Sequence, residues 1–374
     1  MVNCSFHYLL SKILRSDTHF SVHFSSLSSE IFRHGRSAEN KQQWKKLKKM
    51  ALVTGTPTVV NETSTHCPSA REDAGTGFLP VIMIIEIIVG LPGNIIALWI
   101  FLFRMKFWKP HIIFLLNLVL ADLLLLISVP FRIHTHMQGE YWVFGEVWCR
   151  INLFMLAVNR SSSIAFMTVV ALDRYFKVIH PHHWISKMTM THAAWLAGLT
   201  WVAVIALRIP LLTTNLLHQD GNISQCRSFN FYKVIPPEVM VHYVAFVAEF
   251  FLPWFLLLFS SARIACYLNQ QKQKEMQKRV RRAIRAVAVI SLVFTVCFMP
   301  SVITGLVGLS IKYLYPTECE IYQRSTQLFM TCISFTYLNS ASDPFIYFYS
   351  SSMFRNILRR SNCFKKDVSQ VHKC

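Results

Sequence analysis

The sequence predicts an all-α membrane protein: a bundle of seven spanning helices followed by a short amphipathic eighth. Three observations lead there. The chain is 53% hydrophobic and only 15% charged, against about 25% charged in an ordinary soluble domain. Seven apolar runs succeed one another between residues 78 and 349, most of them reaching the roughly 20 residues that cross a bilayer. The connections alternate between strongly basic and nearly charge-balanced, the Lys/Arg asymmetry of a multispanning chain.

Residues 1–77 are polar and mixed and read as an extracellular tail. Two readings of residues 1–49 stay open. KQQWKKLKKM (41–50) is either part of a basic outer tail, or lies upstream of a true start at Met50. The apolar runs follow at about 78–103, 111–133, 147–176, 193–214, 240–268, 284–311 and 325–349, forming a membrane-spanning domain over 78–350. Six of them hold or border a proline: Pro92, Pro130, Pro210, Pro253, Pro300 and Pro344. Membrane helices tolerate these because neighbours re-satisfy the freed carbonyls. In the closing segment, 351–374, apolar Met353, Phe354, Ile357 and Leu358 alternate with basic residues. That spacing predicts a helix lying on the membrane surface, followed by a short tail.

Orientation follows from the loops. RMKFWK (104–109), KVIHPHHWISK (177–187) and QQKQKEMQKRVRRAIR (270–285) are basic, as is the C-terminus. The N-terminus is therefore placed outside the plasma membrane and the C-terminus in the cytoplasm. Sequons at Asn61 and Asn222 fall on the outer side and are glycosylation candidates. The sequon at Asn159 sits at membrane depth, out of reach of that machinery.

The composition also excludes function classes. A net charge of +19 invites a nucleic-acid reading, but the basic residues lie between apolar runs rather than on a soluble domain. No HExxH, GxSxG or P-loop occurs, so no enzyme signature stands out. HPHH (180–183) falls in a cytoplasmic loop, where solvated histidines are the simpler reading. Residues 325–349 contain no lysine to carry retinal, and no inverted repeat suggests a transporter. Of the ten cysteines, those in outer loops are disulfide candidates.

Polar residues inside spans are costly and so are functional candidates. GNIIA places Gly93 and Asn94 in the first run, and NLVLAD places Asn117 and Asp122 in the second. DRY (Asp173, Arg174, Tyr175) ends the third, Trp201 lies in the fourth and Pro253 in the fifth. CFMP (297–300) and DPFIY (343–347) mark the sixth and seventh. Each alone is weak, but in this order across seven spans they are specific. The chain resembles the rhodopsin-like (class A) G-protein-coupled receptors over roughly residues 78–362. It departs from the commonest pattern at Phe298, where tryptophan is usual, and at Asp343, where asparagine is usual. A smaller set of receptors shares both departures.

The resemblance implies roles. Arg174 would be the cytoplasmic switch, held by Asp173 at rest and freed towards the G protein, with Tyr175 beside it and Tyr347 supporting the open state. Asp122, Ser163, Asn339 and Asp343 would bind an allosteric sodium ion, for which oxygen donors suit a hard cation. For Ser163, plain hydrogen bonding between helices is the rival reading. Cys149 and Cys226 would form the usual outer disulfide, and Cys67 with Cys319 a second. Cys363 is either a palmitoylation site or a free thiol. Implied partners are a Gi/o protein, arrestin and membrane lipids, with no nucleic acid and no cofactor beyond sodium.

The charges point to the ligand. An amine receptor would carry an acid in the outer half of the third span, yet none lies between Cys149 and Asp173. Arg160 lies there instead, about 16 Å below Cys149 at 1.5 Å per residue. Arg132 and Arg208 stand near the outer ends of the second and fourth runs. Arginine stays protonated and its planar fork matches a carboxylate. Arg160 is too deep to snorkel, so its partner is either Glu249 or a ligand carboxylate, the second being favoured. Arg208 is a ligand-binding candidate for which snorkelling to headgroups is the favoured reading, while Arg132 divides evenly between pocket and headgroup.

LFMLAVNRSSSI (153–164), DRYFKVIHPHH (173–183), EFFLP (249–253), CFMPS (297–301), FTYLNS (335–340) and DPFIYFYSS (343–351) resemble the receptors for hydroxycarboxylic acids and for oxo- or hydroxy-eicosanoids. In the lactate and nicotinate receptors an arginine follows the sixth-helix proline by five residues. Here that position is Gly305, as in the oxoeicosanoid receptor, which is also similar at NLFML and TQLF. The nearest resemblance is therefore to that receptor. It implies a long oxidised fatty acid of the 5-oxo-eicosatetraenoic type, in space opened at Gly305, acting through Gi/o to lower cAMP. The alternatives are a hydroxycarboxylic acid receptor with the same coupling, and a non-signalling decoy.

Overall fold

The computed structural model describes residues 78–105, 108–220, 223–227, 237–314 and 319–358. The expected sites at Asn61, Asn222, Cys67 and Cys363 lie outside them, as does the basic stretch 41–50. Within the described residues the chain forms α1 (Phe78–Trp99), α2 (Pro110–Met137), α3 (Gly145–Ile179), α4 (Met190–Arg208), α5 (Pro237–Gln270), α6 (Lys274–Leu314) and α7 (Cys319–Ser350). Helix α8 covers 352–358. A π-helical turn, Ile100–Arg104, extends α1, and a single turn, Pro210–Thr213, extends α4.

The helices outrun the apolar segments that predict them. Helix α6 starts ten residues before its apolar run, because Lys, Arg, Gln and Glu are good helix formers once clear of the lipid. Among the described residues, six helices are long and apolar enough to cross a membrane. The seventh, α7, is less apolar because Ser, Thr, Asn and Asp recur along it. Helix α1 packs on both α2 and α7, closing the sequence of neighbours, and α3 runs between α2, α4, α5 and α6.

Lipid supplies no hydrophobic drive between helices, so polar side chains and small residues join them. Pro344 has no N–H to give the Ser340 carbonyl four residues earlier. Asn94 of α1 supplies one instead: its Nδ2 donates to Ser340 O at 3.0 Å. Trp201 Nε1 donates to Asn117 Oδ1 (2.7 Å), joining α4 to α2. Asn152 and Asn159 of α3 each donate to an α2 carbonyl at 2.9 Å. The Asn159 sequon is thus occupied structurally.

At the outer end, α2 stops in a Schellman motif. Glu140 N donates to Thr135 O (2.9 Å) and Gly139 N to His136 O (3.3 Å), with Gly139 at φ +66°. An antiparallel hairpin follows α4: β1 (Leu217–Asp220) and β2 (Ile223–Cys226), with Leu217 opposite Cys226. Cys226 is disulfide-bonded to Cys149 at the head of α3. Cys319 is also disulfide-bonded.

Helix α8 differs from its expectation in one respect. Its apolar face packs on protein: Phe354 is buried with its ring centroid 5.6 Å from Phe101 and 6.2 Å from Tyr347. Met353, Ile357 and Leu358 line the same cluster.

Candidate functional site

Three helices bring four charged or polar side chains to one place in the outer half of the bundle. Arg160 and Ser161 come from α3, Arg208 from the last turn of α4, and Glu249 from α5. Arg208 Nη2 donates to Glu249 Oε2 at 2.5 Å, and its Nε and Nη2 donate to Ser161 Oγ at 3.0 and 2.8 Å. Ser161 in turn donates to the Glu249 carboxylate, 2.8 Å from Oε2. Arg208 Nη1 lies 2.7 Å from His242 Nδ1. Guanidinium can only donate, so His242 Nδ1 accepts and the ring is neutral, with its proton on Nε2.

This overturns the expectation that Arg208 snorkels. It is only 1% exposed, because Ser161, Glu249 and His242 offer its guanidinium better partners than headgroups could. Arg160 is placed differently. Its Nη1 stands 3.6 Å from Glu249 Oε2, an ion pair beyond hydrogen-bond distance, and Nη2 donates to Phe246 O at 3.3 Å. The guanidinium lies over the Phe246 ring, 4.0 Å from its centroid, with Phe298 at 5.6 Å. Nε and Nη1 have no hydrogen-bond partner.

Arg132 does not join this group. Its Nη1 donates to Cys226 O at 2.9 Å, so it holds the hairpin rather than reaching for headgroups. Gly305 was expected to open space. Instead, a Cβ there would lie 3.1 Å from the Phe329 ring and 3.6 Å from Phe246. The volume that glycine vacates is filled by aromatic side chains.

Deeper in the bundle, Asp122, Ser163, Asn339 and Asp343 are all buried. Asn339 Nδ2 donates to Asp343 Oδ2 at 3.4 Å. Asp122 Oδ1, Ser163 Oγ, Asn339 Oδ1 and Asp343 Oδ1 are without a hydrogen-bond partner. Four orphaned oxygens fit a small hard cation. Among the described residues no group of three His, Cys, Asp or Glu side chains forms a metal site; this set has two carboxylates, an amide and a hydroxyl.

One expected contact is made differently. Asp173 pairs with Lys177 Nζ at 2.7 Å rather than holding Arg174, whose Nη2 donates to Ser350 O at 2.9 Å. Lys177 lies one helical turn on and presents its charge to Asp173 along the same face. The Tyr347 hydroxyl lies 2.9 Å from Asp122 Oδ2 and 3.1 Å from Asn94 Oδ1 and donates to them. Tyr175 packs on Phe259 of α5, with its hydroxyl 3.3 Å from His180 Nε2.

Sequence reasoning missed several members. His242 and Phe246 precede Glu249 by seven and three residues, the spacing of one helical face, so periodicity from Glu249 would have found them. Glu86 of α1 is fully buried, accepts from Ala341 N at 3.2 Å, and leaves Oε1 without a hydrogen-bond partner. An acid inside the first apolar run was its signal.

Residues 93–347 match the 7 transmembrane receptor (rhodopsin family) pattern. The chain is 42% identical over 295 residues to the human (Homo sapiens) hydroxycarboxylic acid receptor 2, covering 78% of this chain and 79% of that one. It is 40% identical over 302 residues to the rat (Rattus norvegicus) hydroxycarboxylic acid receptor 2, covering 80% and 82%. Against the human oxoeicosanoid receptor 1 it is 35% identical over 297 residues, covering 79% and 75%. The expected nearest likeness to the oxoeicosanoid receptor is thereby corrected: the chain as a whole agrees better with these hydroxycarboxylic acid receptors. The chain belongs to the rhodopsin family of seven-transmembrane receptors, in the hydroxycarboxylic acid and oxoeicosanoid group, and is a plasma-membrane receptor that acts with a small-molecule ligand, G protein and arrestin rather than an enzyme.

Proposed function

We propose that this receptor takes a compact hydroxycarboxylic acid, held through its carboxylate by Arg160, and couples to an inhibitory Gi/o protein that lowers cAMP. The observation that carries this reading is the Arg160 guanidinium. It is buried over Phe246, and its Nε and Nη1 have no hydrogen-bond partner. A ligand carboxylate could accept a charge-assisted hydrogen bond from either of these N–H groups. Glu249 competes weakly, because its Oε2 is engaged at 2.5 Å by Arg208. Compactness is supported by the rings of Phe329 and Phe246 beside Gly305, and by the names of the hydroxycarboxylic acid receptors similar to this chain.

The test is a panel of short hydroxy acids set against oxidised fatty acids, read as cAMP in transfected cells. A fall in cAMP with lactate or 3-hydroxybutyrate, blocked by pertussis toxin, is expected. Arg160→Ala should raise the effective concentration at least about 100-fold, as loss of a charged hydrogen-bonding partner implies. A normal response in that variant, or a response to 5-oxo-eicosatetraenoic acid alone, would overturn the reading.

We also propose that Asp122, Ser163, Asn339 and Asp343 hold a sodium ion when it is bound. The ion would supply positive charge to two buried carboxylates, and the four side chains would supply its oxygen shell. Support comes from their orphaned oxygens. Signalling through Arg174 is proposed on the same footing, with release from Ser350 O as the local event.

A further inference from the structure

We infer that Glu249 sets the charge of ligand this site accepts: by neutralising Arg208 it leaves one unit of positive charge, on Arg160, and selects monocarboxylates against dicarboxylates. The inference deepens the proposal above and rests on it.

Its basis is the count and placement of charges. Arg160 and Arg208 are both cationic, since arginine holds its proton. His242 is neutral, because its Nδ1 accepts from Arg208 Nη1 at 2.7 Å. Glu249 is the anion paired with both arginines, but not equally. It stands 2.5 Å from Arg208 and 3.6 Å from Arg160. Ser161 reinforces the tighter pair, accepting from Arg208 and donating to Glu249. Arg208 and Glu249 thus form one hydrogen-bonded unit of zero net charge, and the remaining charge sits on Arg160. That side chain spends its face on Phe246 and keeps Nε and Nη1 unbonded.

One carboxylate at Arg160 brings the cluster to neutrality. A second carboxylate on the same ligand would find Arg208 already bound to Glu249 and would stand beside that anion. Buried charge without a partner is strongly disfavoured. The pair Arg208–Glu249 therefore acts as a filter on ligand charge rather than as a ligand contact, and both are positioning residues in this sense.

The test uses 3-hydroxybutyrate and malate, which differ only in replacement of a methyl group by a carboxylate. Binding to the purified full-length receptor is read as the ligand-induced rise in Tm against concentration. The receptor as it stands should bind 3-hydroxybutyrate at least about tenfold more tightly than malate. Glu249→Gln, which leaves two net charges, should shift the ratio towards malate by about tenfold or more. Arg208→Gln, which leaves none, should weaken both ligands by about tenfold or more. The double variant Arg208→Gln/Glu249→Gln restores a single charge and should recover the preference for 3-hydroxybutyrate.

A purely structural role for the pair predicts otherwise: the double variant would be no better than Arg208→Gln, and the ligand ratio would not move. An unmoved ratio in Glu249→Gln overturns the inference while leaving the carboxylate reading intact. If that variant does not reach the cell surface, the double variant against Arg208→Gln decides, recovery supporting the filter and its absence overturning it. If the unaltered receptor binds neither acid, the carboxylate reading falls and the filter with it.

Discussion

Gly93 and Gly198 are both helix-interior glycines in membrane spans, yet their surroundings demand opposite things. A Cβ on Gly93 would lie 2.7 Å from Pro344 Cγ, whose ring cannot swing aside, whereas a Cβ on Gly198 meets nothing within 4 Å. Gly93→Ala should therefore force α1 from α7 and cost about 1–3 kcal/mol, seen as a lower Tm of the purified receptor. Gly198→Ala removes backbone freedom from the unfolded chain at no steric cost, and should leave stability unchanged or raise it by up to about 1 kcal/mol, seen as an unchanged or higher Tm. Equal losses in both variants would mean that α1–α7 contact does not limit stability. At this scale the sequence was legible in part. GNIIA marked Gly93 and Asn94 as unusual, but only the fold reveals that the glycine is there for Pro344 and the asparagine for Ser340 O. Glu86 went unread because a lone acid in an apolar run has no partner visible in sequence. Its partner, the Ala341 amide, lies 255 residues away.

The outer hairpin is the element with the most unlike fastenings. Its β2 strand is tied covalently to α3 through Cys226, by Arg132 to the Cys226 carbonyl, and by Trp142 N to Ser224 O at 2.8 Å. Arg227 then forms a buried ion pair with Glu140, whose other oxygen lies 2.6 Å from His136 Nδ1. Glu140 holds φ +70°, a left-handed backbone that non-glycine residues adopt only when surroundings impose it. Glu140→Ala removes the carboxylate between Arg227 and His136. Breaking a buried pair from one side costs about 3–5 kcal/mol, so Tm should fall and amide exchange at residues 224–227 should quicken. Exchange unchanged from the unaltered receptor would assign the hairpin's order to the disulfide alone. Neither strand was legible in sequence: LHQD and ISQC lack the alternation of a half-buried strand, and tertiary ties rather than propensity hold them extended. The spanning helices were legible because lipid demands long apolar runs, but their ends were not. Apolarity marks where the bilayer stops, while the helix continues as far as backbone bonding and propensity carry it.

Across the whole molecule, the two clusters share α3. Arg160 and Ser161 serve the outer one, and Ser163, two residues further, belongs to the inner one with Asp122, Asn339 and Asp343. Tyr347 ties the inner cluster to α1 and α2 through Asn94 and Asp122. Helix α7 continues from there to Ser350, whose carbonyl holds Arg174. A cation seated among Asp122, Ser163, Asn339 and Asp343 would therefore stabilise the present arrangement of α2, α3 and α7 together, by mass action on whichever arrangement binds it. Replacing potassium with sodium at constant ionic strength should raise Tm. Once the site's dissociation constant is exceeded, each further tenfold of sodium should add about 1.4 kcal/mol. Asp122→Asn removes one of the two carboxylates and should abolish the sodium-specific part, leaving only the salt dependence common to both ions. If the arrangement with Arg174 held at Ser350 is the resting one, sodium should also weaken the cAMP response to 3-hydroxybutyrate, and Asp122→Asn should remove that difference. A sodium effect that survives in Asp122→Asn would place the ion elsewhere, and the orphaned oxygens of the inner cluster would then need ordered water rather than a cation.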